Sequence, residues 1–248
     1  MTVPSTRAEL KGGVLTSRGI ADVFHYAPLQ YLLFIARSRA LFSKDELSDR
    51  GFAVSHFRRT SRARDNYRGF SNYVHLTLDE YPRILKAKLD AGFPHFEIRV
   101  PAAHVERGLI HLCRYNIAMC RNHLHSKKPA PESNVTGRYY GTKQIPTAET
   151  AIECEALLSA NFGKNMIEVL VPKAVSLPDT TSLVFFDEAD RALASKLLSP
   201  LTVAWSLEVS GRYSYERSTV YVNRVDEFLQ RARVDEGWKG NGLDFDSV

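Results

Sequence analysis

Cysteine is scarce in this chain, and the three present, Cys113, Cys120 and Cys154, are an odd number set far apart. That excludes the dense disulfide framework of a small secreted domain and points to a reduced, cytoplasmic protein. In such a setting the Asn134-Val135-Thr136 sequon carries no weight. No apolar run approaches the ~18 residues that a membrane-spanning helix needs, so no membrane association is expected. The opening residues, MTVPSTRAELKGG, lack the apolar stretch of a secretory signal. Several nucleotide-handling and hydrolytic signatures are also missing: there is no P-loop, no GxGxxG after a strand, no GxSxG and no HExxH. Phosphoryl transfer from a P-loop and hydride transfer on a dinucleotide-binding parallel sheet are thereby disfavoured.

What is there is a chain of 248 residues, 44% hydrophobic, enough to bury one large core or two small ones. The net charge of +5 is too modest to argue for nucleic acid by itself. Its distribution says more. Arg58, Arg59, Arg62, Arg64 and Arg68 crowd residues 58–68 with only Asp65 opposing them, and Tyr67, Phe70 and Tyr73 are interleaved or adjacent. Guanidinium groups clamp phosphates bidentately and aromatic rings stack on bases. Such a stretch could hold a dinucleotide pyrophosphate, a nucleic-acid backbone or both; as a bare pattern it is also what a solvated loop looks like.

Read in order, residues 1–19 form a loose leader. Residues 21–26 (ADVFHY) read as a strand with His25 near its end, and Pro28 fits the first turn of a helix that Leu29, Leu32, Leu33, Ile35 and Ala36 continue to about Arg39. Residues 42–71 read as a long polar, basic loop with room for one helical turn. Strands are expected over 73–78 and 93–100, a short helix over 81–89, one or two helices within 102–125, and a loop over 126–149. Residues 151–172 (AIECEALLSANFGKNMIEVLVP) look like two buried strands joined by a turn, with Glu155 at the lip of the first. Beyond them come a strand over 182–186, a helix over 187–198 with an acidic first turn, strands over 202–209 and 218–222, a helix over 225–233, and a tail. Short strands outnumber helices and do not alternate regularly with them. The expected class is α+β with a largely antiparallel sheet, in one domain over 20–233.

The candidate chemistry lies in a few polar side chains. Glu155 could face a cleft, or could be a solvated carboxylate like Glu153, which would share its face on a strand. His25 at a strand-to-helix junction could serve a site or satisfy the fold. His111, Cys113, Cys120, His123 and His125 match no regular zinc spacing, so no metal is expected.

Two stretches together resemble the DarT family of NAD-dependent DNA ADP-ribosyltransferases, the toxin half of a bacterial toxin–antitoxin pair. The first is Phe24 to Leu41, FHYAPLQYLLFIARSRAL, similar to the family's histidine, short gap and leucine-containing helix. The second runs from Glu155 to Leu170, similar to the family's Ala-Glu-aromatic-Leu-Val segment and the hydrophobic strand after it. Between them NYVHLTL resembles the Tyr-Val strand that follows the family's arginine loop. Order and rough spacing agree across residues 20–172; the last third has no counterpart. Ala27, Tyr31 and Arg39 stand where the family usually has Thr, Asn and Gly.

The resemblance implies an ADP-ribosyltransferase-type core with flanking helices and long functional loops, and NAD as co-substrate. It implies Glu155 and Arg59 as catalytic residues. NAD would lie against His25, Tyr26, Arg59, Arg62 and Tyr73: His25 on one of the two riboses, an arginine (Arg59 or Arg62) on the phosphates, Tyr73 near the nicotinamide. A carboxylate at Glu155 would stabilise the positive charge that grows as the nicotinamide–ribose bond breaks. The loop before it would grip single-stranded nucleic acid, DNA favoured over RNA, through Arg138, Tyr139, Tyr140, Lys143 and Gln144. An antitoxin would be a further partner, and the enzyme is expected as a monomer. The competing readings are transfer to RNA or protein by the same fold, an RNA 2′-phosphotransferase, and a nucleic-acid-binding module without NAD chemistry.

Overall fold

The structure is a computed structural model that describes residues 13–50, 71–78, 83–90, 92, 94–113, 147–148, 151–161 and 167–213. Its strands are β1 (Asp22–Pro28), β2 (Ala40–Phe42), β3 (Tyr73–Thr77), β4 (His95–Pro101), β5 (His111–Cys113), β6 (Thr147–Ala148), β7 (Glu168–Pro172), β8 (Ala174–Ser176), β9 (Ser182–Phe185) and β10 (Ser206–Val209). Its α-helices are α1 (Leu32–Ser38), α2 (Lys44–Asp49), α3 (Arg83–Asp90), α4 (Ala102–Val105), α5 (Ala151–Asn161) and α6 (Glu188–Leu198). Short 3-10 turns cover Thr16–Arg18 and Leu29–Tyr31.

Among the described residues, eight strands form one sheet in the order β10-β9-β4-β1-β3-β7-β5-β6, while β2 and β8 pair separately. Every pairing is antiparallel except β9 with β10, so the α+β, largely antiparallel expectation holds. Alternation sorts the strand residues onto two faces. Val23 and Ala27 of β1, Val74 and Leu76 of β3, Phe96, Ile98 and Val100 of β4, Val169 and Val171 of β7, and Leu183 and Phe185 of β9 all belong to one large core. Helix α1 adds Leu32, Leu33, Ile35 and Ala36 to that core, α5 adds Cys154 and Leu158, and α6 adds Ala194, Leu197 and Leu198. These are the i, i+3 and i+4 spacings of amphipathic helices. Two helices start on side-chain caps: the Ser43 hydroxyl accepts the Glu46 N–H at 3.2 Å, and the Asp187 carboxylate accepts that of Ala189 at 2.6 Å.

Three sequence expectations are corrected here. Residues 151–161 are a helix and not a strand. The run is rich in Ala, Glu and Leu, good helix formers, and it buries Cys154 and Leu158, one turn apart, against the core. Within 102–125 the described part is one turn of helix, α4, followed by the strand β5 and not a second helix. The expected leader already packs by Val14 and Leu15, which are 5% and 0% exposed. The helical turn allowed for in the 42–71 loop is α2, at its start; the elements expected over 218–222 and 225–233 lie outside the described residues.

Candidate active site

The sheet is not uniformly closed. β1 pairs with β4 along its whole length, Asp22 to Pro28, and β3 pairs with β7 along its whole length, Tyr73 to Thr77. Between β1 and β3 the register holds a single pair, Phe24 with Thr77. Past that pair the two strands part, and His25 is the first β1 residue on the open side. Its Nδ1 lies 3.0 Å from the backbone oxygen of His75. A carbonyl can only accept, so Nδ1 carries the proton and Nε2 presents a lone pair. The side chain thus bridges the two strands where the backbone ladder stops. Packing around the ring strips it of water and lowers its pKa below the ordinary histidine value; the bond to the His75 carbonyl pulls the other way and is outweighed. His25 is therefore a neutral imidazole of fixed tautomer, as a group that accepts a hydroxyl hydrogen bond has to be.

Glu155 stands on α5, the helix that packs Cys154 and Leu158 onto the same core that takes Val23 and Ala27, the β1 neighbours of His25. Glu155 and His25 are thus on one side of the sheet. The Glu155 side chain is 42% exposed. Arg18, from the 3-10 turn ahead of β1, donates to its Oε2 from Nε at 2.9 Å and from Nη2 at 2.5 Å. The same Nη2 reaches the Ser159 hydroxyl at 2.5 Å, one helical turn on from Glu155. Oε1 has a looser environment. The Ser17 hydroxyl is 3.5 Å away but also 3.1 Å from the Val14 carbonyl, and its one proton goes to the nearer acceptor. The Arg18 turn is itself anchored. The buried Glu106 carboxylate accepts the Leu15 N–H, the Thr16 N–H at 3.3 Å and the Thr16 hydroxyl at 3.0 Å. Neither Arg18 nor Glu106 stood out in the sequence; a lone arginine in a polar stretch carries no local signal.

The other expected site residues divide. Tyr26, next to His25, faces the opposite side of the sheet and packs against Leu85, Leu89 and Phe186. Tyr73 also faces that side, against Cys113 and Leu170, with its ring edge-on to His111 at 5.3 Å. Strand alternation therefore separates both tyrosines from the face that carries His25. Arg59, Arg62, Arg138, Tyr139, Tyr140, Lys143 and Gln144 lie outside the described residues, as do Cys120, His123 and His125. Among the described residues no group of three or more His, Cys, Asp or Glu could hold a metal ion. Of the three departures from the family pattern, Ala27 is buried in the core and Tyr31 ends the 3-10 turn before α1. Arg39 caps α1 in the left-handed conformation at φ 48°, the backbone state that a glycine adopts freely, and its guanidinium pairs with Asp179.

No protein-family model matches the chain, and no curated protein sequence matches it. Solved structures do. Thermus sp. 2.9 DarT in complex with ADP-ribosylated single-stranded DNA superposes with a TM-score of 0.53 at 12% identity, over 79% of this chain and 97% of that one. The same Thermus protein in complex with NAD+ superposes at 0.48, with 11% identity over 79% and 98% of the two chains. The fold is therefore α+β and DarT-like, as residues 24–41 and 155–170 lead one to expect.

Proposed function

We propose that this chain transfers ADP-ribose from NAD to a base of single-stranded DNA, as a toxin or defence enzyme. What supports the reading is one conjunction in a DarT-like fold. A neutral, tethered His25 sits at the opening between β1 and β3, and on the same side of the sheet a half-exposed Glu155 keeps one carboxylate oxygen uncommitted. The Thermus protein of like fold is complexed with ADP-ribosylated single-stranded DNA, which is the product such an enzyme would form.

The residues fit NAD by their chemistry. His25 Nε2 accepts from a ribose hydroxyl. Glu155 Oε1 accepts from the ribose that bears nicotinamide, and its negative charge lies where positive charge develops as the C1′–N bond breaks. The bonding pair leaves with nicotinamide; a base nitrogen then bonds to C1′ and the base releases a proton. A single strand suits this step because a duplex buries the base. The phosphates call for cations, and Arg59 and Arg62 remain the proposed ones, with Arg59 also assisting catalysis. Arg138, Tyr139, Tyr140, Lys143 and Gln144 remain the proposed grip on the strand. Tyr26 and Tyr73 pack on the other face of the sheet and are left out of the proposed NAD contacts.

The test is transfer of label from NAD to separate pools of single-stranded DNA, RNA and protein, with Glu155→Ala alongside. Label should enter DNA, and Glu155→Ala should lose at least ~10²-fold in rate while melting like the wild type. A Glu155→Ala protein of full activity would sink the assignment, and label entering only RNA or protein would replace the substrate.

A further inference from the structure

The catalytic reading gives Glu155 a task but leaves unexplained why its carboxylate is already held by an arginine. We infer that Arg18 is a positioning residue for Glu155, an inference that rests on the proposed role of that glutamate. Both hydrogen bonds from Arg18, from Nε at 2.9 Å and Nη2 at 2.5 Å, fall on the same oxygen, Oε2. A guanidinium meeting a carboxylate merely for charge would be as well served by one bond to each oxygen. Here one oxygen is fixed and the other, Oε1, is left with only the distant Ser17 hydroxyl, whose proton the Val14 carbonyl takes. The carboxylate is therefore clamped by one end and offers the other.

The clamp is braced at both ends. Arg18 Nη2 also reaches the Ser159 hydroxyl at 2.5 Å and the Glu155 backbone oxygen at 3.4 Å, so the guanidinium plane is set by α5 itself. The Arg18 turn is tied to the rest of the fold by the Glu106 carboxylate on Leu15 and Thr16, and Gly19 follows in the left-handed conformation at φ 73°. The arginine's charge does oppose the field of the carboxylate. Both groups are partly in water, which screens that charge, whereas the fixed geometry is not screened. Placement of a catalytic group to within an ångström is worth far more than the weakened field.

Steady-state NAD turnover by the full chain tests this, with Arg18→Ala, Arg18→Lys, Ser159→Ala and Glu155→Ala compared at fixed pH. Arg18→Ala should lower kcat about 10- to 100-fold, with KM for NAD within about twofold and a melting temperature within about 2 °C of wild type. Arg18→Lys should recover only part of kcat, since an ammonium lacks the two-pronged fork, and added guanidinium ion should restore part of the Arg18→Ala loss. Ser159→Ala leaves the ion pair intact and should lower kcat a few-fold, which keeps the test open if Arg18→Ala folds poorly. An unchanged or raised kcat in Arg18→Ala, or a loss confined to KM, would overturn the positioning role. Full turnover by Glu155→Ala would instead overturn the catalytic role of the glutamate, whatever Arg18 does.

Discussion

At His25 one side chain carries both a proposed contact to NAD and a share of the stability. Its Nδ1–H reaches the His75 carbonyl on β3, beyond the one β1–β3 register pair, and burial keeps the ring neutral. A histidine whose folded pKa lies below its unfolded value of 6.5 binds fewer protons folded than unfolded as pH falls through that value. Stability is therefore fully present above pH 6.5 and declines between that pH and the lower folded pKa. Urea midpoints measured across this window should fall for the wild type and fall less for His25→Gln, which cannot take up a proton. Equal slopes for the two proteins would mean that the ring is not held neutral. Glu155, on the same side of the sheet, was singled out by the family-like Glu155–Leu170 segment, but the strand reading gave it the wrong support. On α5 it shares a face with Ser159, and that i, i+4 relation lets one guanidinium address both.

At the scale of elements, the 3-10 turn Thr16–Arg18 has no side-chain cap of its own, and its opening amides go to Glu106, which follows α4. Truncating a buried acceptor leaves those N–H groups unpaired, at a cost of about 1–3 kcal/mol. Glu106→Ala should lower the unfolding free energy by that amount, read as a lower denaturant midpoint at unchanged slope. Because the same turn carries Arg18, it should also slow NAD turnover more than its stability loss accounts for. A variant equally stable but slow would place the effect wholly in the turn; one destabilised but fully active would uncouple Glu106 from the site. Helix α5 explains the main misreading of the sequence. A short apolar run with one polar break has no decisive period, and the choice between strand and helix fell to the burial of Cys154 and Leu158 on the core.

For the whole molecule, the informative feature is the opening of the sheet between fully paired β1–β4 and fully paired β3–β7. A ligand seated there would tie the two halves together and stabilise the folded state by mass action, by about 2.7 kcal/mol at a hundredfold excess over its Kd. NAD added to Glu155→Ala, which should bind without turning it over, is expected to raise the melting temperature, and His25→Ala should reduce that rise. No shift with NAD in either protein would remove the cofactor from this opening.

The sequence by itself determined what local periodicity and chemistry can encode: β1, β3, β4, β9, α1 and α6 near their expected positions, and the α+β class; it also singled out His25 and Glu155 as the candidates. The tertiary structure decided what depends on partners far apart in the chain. Glu106 and Leu15 are 91 positions apart, and Arg18 and Glu155 are 137 apart. Sheet order, not spacing, brings such pairs together, so nothing near Arg18 in the chain announces the carboxylate it holds. The same order put Tyr26 and Tyr73 on the face away from His25, because a strand turns each successive side chain to the other side.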